Sequence, residues 1–151
     1  SMSEMVSKGM AALRRSNQRA ERITVSGETF YFKKLTIDME DQLDAIVKEN
    51  QDMSQKEPEQ PAPDAGEAAI LKWRDDIIEF KQKQAKAFRK LTAELMKFML
   101  LDETDAPLFA ADDDVYGNLN NVYAEKFFRA YTKFRQGAEA GVAETEKRFQ
   151  G

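Results

Sequence analysis

The chain has 151 residues, 42% of them hydrophobic and 33% charged, with a formal net charge of -4. That length supports one domain whose core needs no metal or cross-link, and the charge gives no surplus of Lys and Arg for a dedicated DNA or anionic-membrane binder. There is no cysteine and no histidine, which removes disulfide scaffolds, thiolate metal sites, a Cys nucleophile and the commonest general base. The composition leans away from enzymes. No run of about 18 apolar residues exists to span a bilayer. The basic N-terminal stretch, with Lys8, Arg14 and Arg15, lacks the apolar centre of a signal peptide. A cytoplasmic protein is the expectation.

Residues 1–21 are polar and basic, with Met5, Met10 and Leu13 as scattered apolar points, and read as a flexible N-terminal tail, frayed or partly helical. Ile23-Thr24-Val25 and Thr29-Phe30-Tyr31-Phe32-Lys33 flank Ser26-Gly27-Glu28, which predicts a β-hairpin turning at Gly27. Alternation places Ile23 and Val25 on one face of the first strand, and Phe30 and Phe32 on one face of the second. A lone hairpin is marginal in water, so it must pack on something else or recruit a strand from a neighbouring subunit.

Thr36 or Asp38 is positioned to cap a first helix, whose start is acidic at Asp38, Glu40 and Asp41. Met39, Leu43, Ile46 and Val47 fall at helical spacing, and the helix should end near Asn50. Residues 52–66 carry Pro58, Pro61 and Pro63 among Glu, Gln, Asp and Ala, the composition of a mobile linker.

From Glu67 the pattern is strongly helical. Ile70, Trp73, Ile77 and Phe80 recur by three and four; Gln82, Lys83, Gln84 and Lys86 interrupt the stripe; Phe88, Leu91, Leu95, Phe98 and Met99 resume it. No Gly or Pro occurs over 67–101, so one helix of roughly 50 Å is expected, bending near Gln84 or projecting beyond the body. An acidic turn follows, with Leu108 and Phe109 as apolar anchors. A last helix is predicted over about 119–135, burying Leu119, Val122, Tyr123, Phe127, Tyr131 and Phe134, with Gly137 as its C-cap and 137–151 a flexible tail. The expected fold is therefore mainly α with a small N-terminal β-hairpin (α+β), one domain over 22–136.

Chemistry is sparse. Asp102, Thr104, Asp112, Asp113 and Asp114 could supply oxygen ligands to a hard cation, but they lack the register and the Gly turn of a calcium loop. Asp residues that open turns and cap helices account for them. Asp75 and Asp76 read as a solvated face. No phosphate-binding glycine loop and no GxSxG elbow appears. No catalytic residue, metal site or cofactor is assigned. The aromatics offer more: adjacent Phe127 and Phe128 point about 100° apart on a helix, so one of them can serve an interface. The candidate partner-binding residues are Ile70, Trp73, Ile77, Phe80, Phe127, Phe128 and Tyr131.

The order of features is informative as a whole. The opening "ITVSGETFYFKKLTI" leads into "DMEDQLDAIVKE", then a polar stretch, a long helix, "LLDETDAPLFAADDDVYGNLN" and an aromatic helix. This order resembles the tail assembly chaperones of long-tailed bacteriophages and prophages. The resemblance covers roughly residues 23–136. It rests on Gly27, Phe32, Leu35 and Thr36 in the opening, and on Asp102, Pro107, Leu108, Phe109, Val115 and Leu119 later. It implies a non-enzymatic protein of the host cytoplasm that keeps the helical, aggregation-prone tape measure protein soluble until tail tube subunits polymerise around it. It also implies a longer, frameshifted form that recruits the tail tube protein, this chain being the shorter product. A homo-oligomer is expected, without nucleic acid or membrane.

Two other classes compete. One is a small helical adaptor or anti-host factor acting through the long helix; the other is a metal-dependent hydrolase built on the acidic cluster. Arg19 and Arg22 extend the basic N-terminal segment, but no interleaved aromatics make it a nucleic-acid platform.

Overall fold

The computed structural model describes residues 7–16, 19–51 and 56–150, and for 15–16, 19–20 and 138–150 the backbone alone. The elements run α1 (Lys8–Ser16), β1 (Arg19–Val25), β2 (Glu28–Lys33), α2 (Ile37–Asn50), α3 (Glu67–Met99), β3 (Leu100–Leu101), α4 (Val115–Asn118) and α5 (Asn121–Gln150). The fold is mainly helical with a small antiparallel sheet near the N-terminus, an α+β arrangement.

β1 and β2 form the expected hairpin. Ser26 and Gly27 take φ of 50° and 83°, the positive values that match a two-residue turn to the right-handed twist of its strands. Ile23 faces Phe30 across the ladder, and Ile23, Val25 and Phe32 are buried on the inner face. The hairpin does not wait for a neighbouring subunit along β2. Leu100 and Leu101, the residues directly after α3, pair with Phe32 and Tyr31 as a third strand. Among the described strands β1 is the other edge of the sheet, and it carries a register irregularity between Arg19 and Glu21, a feature that blunts edge-to-edge pairing.

Thr36 caps α2, its hydroxyl accepting from the Met39 amide at 3.3 Å. Leu43 is buried, with Ile46 and Val47 packed behind it. α5 crosses the inner face of the sheet. Phe32 is fully enclosed, its ring 4.7 Å from that of Phe134 and 6.0 Å from that of Phe127. Arg135 on α5 donates to Glu40 on α2 at 2.7 Å, tying those helices together.

Three expectations need correction. α5 does not stop at Gly137 but continues as helix to Gln150. A single glycine among good helix formers costs only about 1 kcal/mol relative to Ala, too little to end a helix. Gly137 is not among the positive-φ glycines, and a methyl there would meet open space. Gly137→Ala should therefore raise stability by about 0.5–1 kcal/mol in urea unfolding; a left-handed cap would instead make Ala destabilising. Val122, assigned to the buried stripe, is 63% exposed, because it sits one residue into α5 and Tyr123 and Ala124 turn inward instead. The third concerns the N-terminal boundary: β1 begins at Arg19, inside the stretch read as a tail, and the partly helical reading of that stretch corresponds to α1.

The acidic segment proves to be a set of turns. Asp102 Oδ1 accepts from the Thr104 amide (2.8 Å), the Thr104 hydroxyl (2.7 Å) and the Ala106 amide (3.1 Å). The Leu108 amide returns to the Leu100 carbonyl at 3.0 Å, so the turn folds Leu108 and Phe109 back onto the core. Asp113 accepts from the Ala110 amide, and Asp114 caps α4 through the Gly117 amide, both at 2.8 Å.

These bonds hold the Asp102 carboxyl below its ordinary pKa, the Thr104 hydroxyl first and the Thr104 and Ala106 amides after it. A depressed folded value stabilises the turn above the unfolded pKa of about 3.9, and that contribution is lost as pH falls through the lower folded value. NMR titration of the Thr104 and Ala106 amides should therefore show a midpoint below the usual Asp range. Asp102→Asn should remove that transition.

Candidate functional site: the outer half of the long helix

α3 divides into two parts of different character. All of its buried side chains lie between Leu91 and Met99, where the helix meets the sheet and α5. Upstream of Phe88 none of its apolar residues joins the core cluster or packs against it. An isolated helix has no use for apolar surface in water, and burial of one face is what stabilises most helices. The outer half therefore carries apolar residues that this chain's own core does not need.

One side of that half is partly covered. The Trp73 indole N–H donates to the Pro58 carbonyl at 3.3 Å, so the proline-bearing connection lies against the helix. Lys56 and Phe80 border the same shallow hollow, with Asp76, Glu79 and Lys83. Ile70, Trp73, Ile77 and Phe80, the stripe expected from the sequence, are all half-buried on this side.

The opposite side is open. Leu71 is 52% exposed and Ile78 55% exposed. Seven residues apart, they stack on one face of a 3.6-residue helix, about 140–180° from Trp73 and Phe80 at 100° per residue. The sequence reading missed them, because the eye follows the stronger Ile70-to-Phe80 series. The available signal was a second pair of apolar residues one heptad apart on the face assigned to solvent.

The remaining candidates lie elsewhere and in a different state. Phe127 is fully buried and Tyr131 is buried. Their rings stack on each other at 6.3 Å, and Phe128 meets Phe88 edge-on at 5.1 Å and Tyr131 at 5.8 Å. Both members of the Phe127/Phe128 pair thus pack within the chain: α3 supplies Phe88 against one and β2 supplies Phe32 against the other. Phe127 presents no surface and Tyr131 very little to a partner, and these three residues do not converge with the Ile70-to-Phe80 stripe.

The one polar residue in the described buried core is bonded within its own helix. Thr92, buried, donates its hydroxyl to the Phe88 carbonyl at 2.7 Å. Among the described residues no three acidic side chains converge to hold a metal ion, and no helix is long and apolar enough to cross a membrane. No protein-family model, curated protein or solved structure matches the chain.

The positions that carry the resemblance to tail assembly chaperones all have folding roles. Gly27 makes the turn, Thr36 caps α2, Asp102 builds the hairpin-like loop and Pro107 forms a β-bridge with Leu101. Phe32, Val115 and Leu119 are buried, and Leu35, Leu108 and Phe109 pack against them. Those positions define an architecture, and the exposed face of α3 lies outside them.

Proposed function

We propose that this chain is a tail assembly chaperone of a long-tailed bacteriophage or prophage, acting in the host cytoplasm without catalysis. Its client is the tape measure protein, held soluble until the tube forms; a longer frameshifted form would bring in the tail tube protein. Two things support the reading: the ordered resemblance along residues 23–136, and the exposed apolar face of Leu71 and Ile78. That face is the observation that carries it. A holdase must offer apolar surface without burying it in its own core, and several weak contacts along a rod-like client multiply into firm retention.

Co-expression tests the proposal. The tape measure protein encoded beside this chain should be recovered soluble and in complex when both are made together, and should aggregate when made alone. Equal soluble yield in both cases would end the reading.

A further inference from the structure

A second apolar feature lies at the other end of α3. Phe30 from β2, Met96 from α3, Leu108, Phe109, Leu119 and Tyr123 wall an open groove of about 550 Å³. Its rim is acidic. Asp113 and Asp114 border it, exposed Asp112 adjoins them, and no Lys or Arg occurs between Leu101 and Asn121. Burial, and then the charge of Glu28, raise the pKa of the Tyr123 phenol in its wall. Lys97 reaches the same loop, but its ammonium donates to the Ala111 carbonyl at 2.8 Å.

The complementary element is α1. Its sequence, KGMAALRRS, has Lys8, Arg14 and Arg15 and no acidic residue. Met10 and Leu13 are 47% and 57% exposed, and three residues apart they share a face. None of the described side chains of α1 is buried. A short basic helix with an apolar face is the ligand that an apolar groove with an acidic rim selects.

The helix of the same chain does not fill it in this structure: no described residue of α1 lines the groove, and Met10 and Leu13 stay exposed. A second copy can bring the same helix to it.

We propose that α1 of one copy docks in this groove on a second copy, and reciprocally. Met10 and Leu13 enter the hollow, and Lys8 and Arg14 meet the rim of Asp112, Asp113 and Asp114. Because each chain carries both helix and groove, mutual exchange closes a two-fold dimer. The contact uses neither Leu71 nor Ile78, so it stands independently of the client-binding reading.

The test uses full-length protein. Sedimentation should show a monomer–dimer equilibrium that shifts with concentration and weakens with salt, as contacts between exposed charges do. Leu13→Glu, outside the core, should keep the native circular dichroism spectrum and remain monomeric. Arg14→Glu, which retains the apolar face, should weaken association without abolishing it. In NMR, isotope-labelled Leu13→Glu chain mixed with unlabelled wild type should show shifts at Leu108, Phe109 and Tyr123; mixed with unlabelled Leu13→Glu it should show none. A wild type that is monomeric throughout, or a dimer that Leu13→Glu leaves unchanged, would overturn the proposal. So would groove shifts in wild type that do not depend on concentration, which would mean that α1 fills its own groove.

Discussion

Phe32→Ala is expected to destabilise the protein by about 3–5 kcal/mol, the range for removing a fully buried aromatic ring. Phe32 is the point where three elements meet. It lies on β2, pairs through its backbone with Leu100 of β3, and contacts Phe127 and Phe134 of α5. Nothing beside it can collapse easily into the space left behind, because the sheet backbone fixes one wall and α5 the other. Single domains are stable by about 5–15 kcal/mol in total, so the loss is a large fraction of the whole. Urea unfolding followed by circular dichroism measures it. A cost under about 1 kcal/mol would mean that the sheet and α5 do not share one core.

The second large effect is on binding and should leave the fold alone. Leu71→Glu combined with Ile78→Glu should change stability by no more than about 0.5 kcal/mol, since neither side chain belongs to the core and Glu is a good helix former. Complete burial of an aliphatic side chain is worth about 1.5–3 kcal/mol, and about half of each of these remains to be buried. If this face holds the proposed client, losing both side chains and adding charge should therefore weaken tape measure binding by tenfold or more, at about 1.4 kcal/mol per tenfold. Pull-down with purified components reads the effect. Substituting Phe127 instead should act through stability, because that ring is enclosed.

The two predictions differ because the two halves of α3 differ, and that division was only partly legible in the sequence. The hairpin, the capped start of α2 and the continuity of α3 are local matters: a Gly turn, a Thr before an acidic first turn, and 33 residues without a breaker. Each was readable. β3 was not, because Leu100–Leu101 has no signal of its own; it becomes a strand only because β2 offers an edge where α3 ends. The same kind of distant partner decides the aromatics. Whether Phe128 lies inside or outside depends on Phe88, forty residues earlier, standing opposite it.

Gly137 misled for the reverse reason. It is a strong local signal of modest energetic weight, and the helix-forming residues around it prevail. The acidic segment was legible in kind, as turns and caps, though its role in turning the chain back against β3 was not. For the site, the stripe of Ile70, Trp73, Ile77 and Phe80 was visible by spacing. The structure then shows that side to be the more covered one, with Trp73 held to Pro58, and leaves the weaker pair, Leu71 and Ile78, facing water.

Cross-linking from that face tests the central claim most directly. A photo-reactive amino acid placed at position 71 or 78, in cells making both proteins, should become joined to the tape measure protein; placed at exposed Lys90 on the same helix, it should yield much less. Adducts absent from 71 and 78, in cells where the two proteins nevertheless co-purify, would contradict the assignment of the outer half of α3 as the client surface.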